Sequence, residues 1–566
     1  MKTIQLFIPN PMRIKTLFFA LLVLTTFTTN AQPAKSQLPA KNTSLPRPKL
    51  VVGLMVDQMR WDYLYRFYNR YENGGFKRML NEGFSCENAY INYVPSVTGI
   101  GHATVYTGSV PAIHGITGND WIIQATGKDM YCSADSTVST VGSNSVEAGQ
   151  MSPKNLLVTS MTDELRLATN FRSKVIAIAS KDRGSIIPGG HSANAAYWYD
   201  GSSGNWITST YYMKQLPDWL TKFNEQKYPE KYLKQDWNTL YPIETYLQST
   251  KDNVPYEGKF PGMSTSTFPV KTSQMLSRGL GLVTSTPYGS SLTLDLAKAA
   301  VENEAMGTDA DTDFLAISVS SPDYIGHQFG PNSIEVEDTY LRLDRDLASF
   351  FTYLDTKVGK GNYTVFLTAD HAVQHNAGFL NDNKISAGVF PSSAVLKELN
   401  NQLEADFNVK NIALSLSNYA VSFNYAAIRT NKLNEELIKR NTMEFLKKQE
   451  GVAFVVDIPN AQNATIPEVY KEKIINGYHP DRSGVIQIVL EPAWYSGSSP
   501  RSTGATHGTM NPADVHIPMV FMGWGIKQGK TNNSYKMTDI APTISGILRI
   551  QEPNGNIGKA VNEALK

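Results

Sequence analysis

The sequence predicts an α/β protein: a mostly parallel central sheet with helices on both faces. Three observations carry that reading. Apolar runs of strand length, Leu50–Val56, Val175–Ala179, Phe314–Val319 and Tyr363–Ala369, recur along the chain. Strand, helix and strand alternate between them, the rhythm of a parallel sheet covered on both sides. Three of the runs lead to a carboxylate at or just past their C-terminal end, where open α/β sheets bind ligands.

Composition agrees. The chain has 566 residues, 41% apolar and 18% charged, which is globular and too long for one ordinary domain. Its net charge of +1, with no long basic run, gives no footing for nucleic acid.

In chain order, Arg13 and Lys15 precede the apolar stretch Leu17–Leu24, with a small-residue site near Ala31. Residues 1–31 are therefore expected to be a signal peptide, too short to span as a membrane helix. No cysteine stands at the cleavage site and no later run is long enough to cross a membrane, so an exported protein without a membrane anchor is expected. Residues 32–48, rich in Pro, Lys and Ser, read as a linker. The main domain should span 49–566. The rhythm lapses over about 196–290, where Tyr197, Trp198, Tyr199, Trp206, Tyr211, Tyr212, Trp219 and Trp237 crowd together. This segment reads as an inserted cap with a small satellite core. The main core resumes with a helix at Leu292–Asn303. A second insertion, about 385–500, reads as a small α+β unit: Tyr419–Ile428 extended, Asn434–Gln449 helical, Val452–Val456 and Val485–Leu490 extended. Val520–Gly523 and a helix near Ile540–Leu548 close the core. Only Cys86 and Cys132 are present. In an oxidising compartment a bridge between them is the expectation, with two buried thiols the other reading.

The first strand ends in Asp57, the strand Phe314–Val319 leads to Asp323 and His327, and the last ends in Asp370-His371. Any one of these aspartates alone would pass for a turn former or helix cap. As a set they combine carboxylate and imidazole, which suits zinc or a similar divalent ion. Asp323 and His327 are four apart and share a helical face. His507, between Gly504 and Gly508, is their natural third partner, while Asp57, Asp370 and His371 would hold a second metal. Thr98, in Pro95-Ser96-Val97-Thr98-Gly99, sits where a helix should begin, and a helix N-terminus favours phosphate. Lys181 and Arg183, two apart at a strand end, can point to one side.

Val56-Asp57-Gln58, Pro95–Gly99, His114-Gly115-Ile116, Asp323–His327, Thr368–His371 and His507-Gly508 together resemble the alkaline phosphatase superfamily, in family order over nearly the whole mature chain. Asp539-Ile540-Ala541-Pro542-Thr543 is similar to its closing segment. The resemblance implies that superfamily's fold, a site of two Zn2+ and a phosphorylated-enzyme mechanism. It implies Thr98 as the catalytic nucleophile, itself metal-bound, and Asn119, Lys181 and Arg183 as the substrate-binding residues. The sulfatase pattern of Cys or Ser followed by Pro and Arg is absent around Thr98. Phosphodiesterases and nucleotide pyrophosphatases share the Thr and an Asn like Asn119, but not usually the Lys181–Arg183 pair. A monoester carries one more negative charge than a diester, so extra cations favour it. The pair is similar to that of the secreted Thr-nucleophile alkaline phosphatases, in which the lysine stands in for a third, magnesium-type metal. Small-molecule phosphate monoesters are therefore the expected substrates. The alternatives are a phosphodiesterase or nucleotide pyrophosphatase of the same superfamily, and a non-catalytic metal- or phosphate-binding protein. A binder has no need of a nucleophile among its ligands, which argues for catalysis.

Overall fold

A computed structural model describes residues 46–497 and 503–566. The expected signal peptide and nearly all of the linker lie outside the described residues. Ten strands form one sheet: β1 (Leu50–Val56), β2 (Phe84–Tyr90), β3 (Thr140–Val141), β4 (Val175–Ala179), β5 (Ala195–Asp200), β6 (Asn205–Ser209), β7 (Asp313–Val319), β8 (Tyr363–Thr368), β9 (Met519–Gly523) and β10 (Gly529–Lys536). Their order across the sheet is β10-β2-β9-β8-β1-β7-β4-β5-β6-β3. The run from β8 to β5 is parallel, with antiparallel β9 and β6 on either side.

Every residue of β1, β4, β7 and β8 is buried, which is why these strands read as apolar runs rather than as alternations. Register aligns their ends. Met55 lies opposite Thr368 on one side and Ser318 on the other, and Ser318 opposite Ala179. The segments that follow all leave the sheet at one edge. Three helices matter there: α1 (Thr98–Thr107), α2 (Asp182–Gly189) and α3 (Ser321–Phe329). In β1, a Cβ at Gly53 would lie 2.3 Å from the Tyr106 hydroxyl and 2.7 Å from the Phe366 ring, so glycine lets α1 lie against the sheet. No helix among the described residues is long and apolar enough to cross a membrane.

Four expectations are corrected. The cap does not begin at 196. Tyr197, Trp198, Tyr199 and Trp206 belong to β5 and β6, an antiparallel hairpin extending the main sheet, and its run of consecutive aromatics hides the strand rhythm. The cap that follows Ser209 has no satellite core, because Trp237, Tyr246, Phe260 and Val270 pack into the main one. Tyr419–Ile428 is not extended throughout. The strand Ala420–Phe423 gives way to a helix, Tyr425–Thr430, where the Asn424 side chain accepts the Ala427 N–H at 3.0 Å. Cys86 and Cys132 are both free and buried. Cys86 sits in β2, whereas Cys132 packs against Gly99 of α1.

The second inserted segment does carry cores of its own. They pack on an antiparallel four-stranded sheet, in the order Ala413–Ser417, Ala420–Phe423, Ile486–Leu490 and Val452–Asp457.

Candidate active site

The edge where β8, β1, β7 and β4 end gathers acceptor atoms with few donors between them. Asp57 follows β1, Asp370 and His371 follow β8, α3 presents Asp323 and His327, and the loop before Pro512 brings in His507. Asp57, Asp370 and His371 form one group of converging ligand atoms, and Asp323, His371 and His507 another. His371 Nε2 lies 3.5 Å from Asp57 Oδ1 and 3.4 Å from Asp370 Oδ2. Both of those buried carboxylate oxygens lack a hydrogen-bond partner. On the other side, His327 Nε2 is 3.2 Å from Asp323 Oδ1 and 3.2 Å from His507 Nε2, and His507 Nε2 is 3.6 Å from Asp323 Oδ1.

The imidazole tautomers follow from their other nitrogens. Nδ1 of His371, His327 and His507 faces the carbonyl of Ala372, Ala505 and Ser96, at 3.0, 2.9 and 2.7 Å. A carbonyl only accepts, so each Nδ1 carries a proton, and in the neutral ring Nε2 presents a lone pair, as in metal-binding histidines. Lone pairs on nitrogen and carboxylate oxygen then face one another at 3.2–3.6 Å. A tetrahedral ion with bonds of about 2.0–2.1 Å sets its ligand atoms about 3.3 Å apart. The residues fit a pair of divalent ions.

Electrostatics say the same. Burial, then the neighbouring Asp57 charge, holds Asp370 well above the usual carboxylate range. Burial pushes His371 down to about 4, keeping its imidazole neutral. Asp323 goes the other way: in the metal-free protein a protonated His327 and the Lys181 ammonium outweigh its burial and hold it well below the usual range. Two carboxylates share the Lys181 ammonium, with Nζ 2.8 Å from Asp57 Oδ2 and 2.5 Å from Asp323 Oδ2. Burial opposes the charge on Lys181, but these carboxylates win and raise its pKa.

Thr98 is the first residue of α1, whose N-cap is Val97, so its hydroxyl is not consumed as a cap. Its Oγ1 lies 3.4 Å from His371 Nε2 and 3.5 Å from Lys181 Nζ. The next residue donates its N–H to Asn119 Oδ1 at 2.8 Å, which leaves the Asn119 amide N–H groups to face outward. Lys181 and Arg183 do not act as alternating strand residues. They cap and open α2, and they diverge: Lys181 turns to the carboxylates, while Arg183 Nη1 donates to the Tyr131 hydroxyl at 3.1 Å. Tyr131 in turn donates to Asp182 at 2.5 Å. Arg183 Nε is buried without a partner.

Three residues escaped the sequence reading. The Gln58 side chain donates to Asp323 Oδ1 at 2.6 Å and its backbone N–H to Asp370 Oδ1 at 3.1 Å, linking both ligand groups. His102 joins the Thr98 carbonyl to the Ser318 hydroxyl, each at 2.8 Å. Tyr131 holds Arg183. Gln58 is adjacent to Asp57 and His102 one helical turn from Thr98, so spacing could have flagged those two; Tyr131, on a separate hairpin, left no signal.

The pattern of the type I phosphodiesterase / nucleotide pyrophosphatase family matches residues 51–511. The chain belongs to that family. The alkaline phosphatase PhoV of Synechococcus elongatus is 54% identical over 557 residues, 98% of this chain and 100% of that protein. The alkaline phosphatase PafA of Elizabethkingia meningoseptica is 50% identical over 93% of this chain and 96% of its own. The crystal structure of wild-type PafA superposes with a TM-score of 0.91, covering 92% of this chain and 100% of that one. A Myroides odoratus protein named a calcium-transporting ATPase is 57% identical over 92% of this chain and 95% of its own. A solved PafA variant is substituted at a Thr, an Asn, a Lys and an Arg spaced along its chain as Thr98, Asn119, Lys181 and Arg183 are here.

Proposed function

We propose that this protein is an exported alkaline phosphatase that hydrolyses small phosphate monoesters through a phosphothreonine at Thr98. Asp57, Asp370 and His371 would hold one zinc ion and Asp323, His327 and His507 the other, with Thr98 reaching the first. The observation that carries the reading is the convergence of buried lone pairs beside an uncapped, helix-opening hydroxyl. Bound zinc supplies positive charge that lowers the pKa of a hydroxyl and offsets charge on a leaving oxygen.

The chain's own groups do the rest. The N-terminus of α1 sets the positive end of its dipole beside the phosphoryl oxygens. Lys181, held protonated beside Thr98 Oγ1, favours the deprotonated hydroxyl. Thr98 Oγ1 bonds to phosphorus as the bond from phosphorus to the ester oxygen breaks, and that oxygen leaves with the electron pair. Water then cleaves the phosphothreonine and returns the hydroxyl. The Asn119 amide, Lys181 and Arg183 take the non-transferring oxygens, where donors placed in advance stabilise developing charge. Arg183 Nη1 donates to a tyrosine hydroxyl rather than to a carboxylate, which leaves its other N–H groups for substrate.

The test is steady-state kinetics on an aryl phosphate monoester and the matching diester, with zinc and after chelation. A zinc-dependent preference for the monoester is expected. A preference for the diester would move the protein to its phosphodiesterase relatives.

A further inference from the structure

Asn119 and Arg183, two of the groups proposed to take phosphoryl oxygens, depend on one small hairpin outside the ten-stranded sheet. Asn119 precedes its first strand, Asp120–Ile123, and Tyr131, which holds Arg183, ends its second, Lys128–Tyr131. Asp120 pairs with Tyr131, and the Asn119 carbonyl accepts the Cys132 N–H at 2.8 Å, so the two sit side by side at the base. A two-stranded hairpin is marginal alone in water, so what packs on it sets its position.

The second inserted unit packs there. Arg482 lies between its helix Glu468–Gly477 and its strand Ile486–Leu490. Nη1 of Arg482 donates to the Gly115 and Asn155 carbonyls, each at 2.7 Å. Asn155 in turn donates to the carbonyls of Tyr131 and Cys132, at 3.3 and 3.2 Å. The guanidinium lies 5.3 Å from the centre of the Trp121 ring, and the Arg482 carbonyl accepts the Thr117 hydroxyl at 2.9 Å. On the other side of Asn119, the Asn418 side chain donates to the Asp120 carbonyl at 3.2 Å. At the tip, Gln124 gives its backbone N–H to the Asp481 carbonyl at 3.0 Å and its side-chain amide to the Ser483 carbonyl at 2.6 Å.

We infer that this unit is a specificity element for phosphate monoesters, with Arg482 as the positioning residue that clasps the hairpin. Bonds on both sides of Asn119 fix where its amide points, and the chain from Arg482 through Asn155 to Tyr131 fixes where Arg183 is held. The role suits arginine, whose planar fork supplies paired N–H groups while it stacks on an aromatic ring; lysine does neither. None of these contacts touches a proposed metal ligand, so the influence falls on the substrate's oxygens. The inference deepens the monoester reading and rests on it.

The test is a mutant cycle on zinc-loaded protein, with an aryl phosphate monoester and the matching diester as substrates. Arg482→Met should lower kcat/KM about tenfold for the monoester, the size of one lost charged hydrogen bond, and by less for the diester, while zinc content stays at the wild-type value. In an Asn119→Ala/Arg183→Ala background, the same substitution should change either rate by less than about twofold, because the groups it positions are gone. A general loss of structure would persist in that background. If Arg482→Met does not fold, Asn418→Gly takes its place: it removes the bond to Asp120 at a residue whose φ of 53° glycine adopts freely. A smaller loss in the same direction is then expected, again absent from the double background. A wild type that prefers the diester would end the monoester reading itself. With monoester preference intact, a substitution that spares monoester turnover, costs both substrates equally, or costs as much in the double background overturns the inference.

Discussion

At the residue scale, the structure divides a pair that the sequence joins. Lys181 bridges Asp57 and Asp323, so its loss leaves two ligand carboxylates without their shared cation. Arg183 touches neither and is held by Tyr131. Arg183→Ala should therefore lower kcat/KM for a monoester by about 10- to 100-fold, the equivalent of one lost charged contact of about 1.5–3 kcal/mol, with the diester nearly unaffected. Lys181→Ala should depress both substrates and weaken zinc retention. Equal losses on both substrates in Arg183→Ala would remove it from monoester selection. Thr98 has a sharper test. Thr98→Ala should abolish the covalent intermediate, whereas Thr98→Ser keeps a hydroxyl and substantial turnover. Acid quenching of the wild type should trap phosphate on Thr98, and a Thr98→Ala enzyme of near-normal activity would end the mechanism.

At the scale of elements, α1 has to come close to the end of β8, and Gly101 is what allows it. A Cβ there would lie 2.3 Å from the Asp370 carbonyl oxygen and 2.5 Å from the Asp370 Cβ. Gly101→Ala should cost about 1–3 kcal/mol through overpacking and push Thr98 and Asp370 apart. Thermal denaturation and zinc analysis should show a lower Tm together with weaker zinc retention; an unchanged protein would mean that the helix can shift freely. The same elements explain what could be read from the sequence. Parallel strands buried on both faces leave unbroken apolar runs, so the ends carrying Asp57, Asp323 and Asp370 stood out. The spacing of Asp323 and His327 is one helical turn and survives in α3. The hairpin of β5 and β6 was hidden because Tyr197, Trp198 and Tyr199 run consecutively beside Gly- and Ser-rich turns, so no period-two pattern stands out. The divergence of Lys181 and Arg183 was hidden because α2 begins between them, and period-two reasoning fails once a strand has ended. Tyr131 comes to Arg183 from a separate hairpin, a tertiary contact without local pattern.

For the whole molecule, the site is a concentration of like charge that the fold holds together. Asp57 Oδ1 and Asp370 Oδ2 are buried without partners, and Asp370 is raised well above the usual carboxylate range by burial and by Asp57. A carboxyl whose folded pKa exceeds its unfolded value contributes stability below the unfolded value and loses it as pH rises through the folded one. Without zinc, Asp370 should therefore destabilise the protein increasingly from the ordinary carboxylate range upward. With zinc bound as proposed, the same charge would serve as a ligand and the sign would reverse. Asp370→Asn separates the two states. In the metal-free protein it should raise stability, on the order of 1–3 kcal/mol, by removing a buried unsatisfied charge, and by more at about pH 9 than at about pH 5. In zinc it should bind less metal and melt below the wild type. Calorimetry of both proteins, chelated and zinc-loaded, reads all four states. If the metal-free variant melts below the metal-free wild type at alkaline pH, Asp370 is not a charge that the fold strains to hold, and the account of this edge as a preformed metal cradle fails.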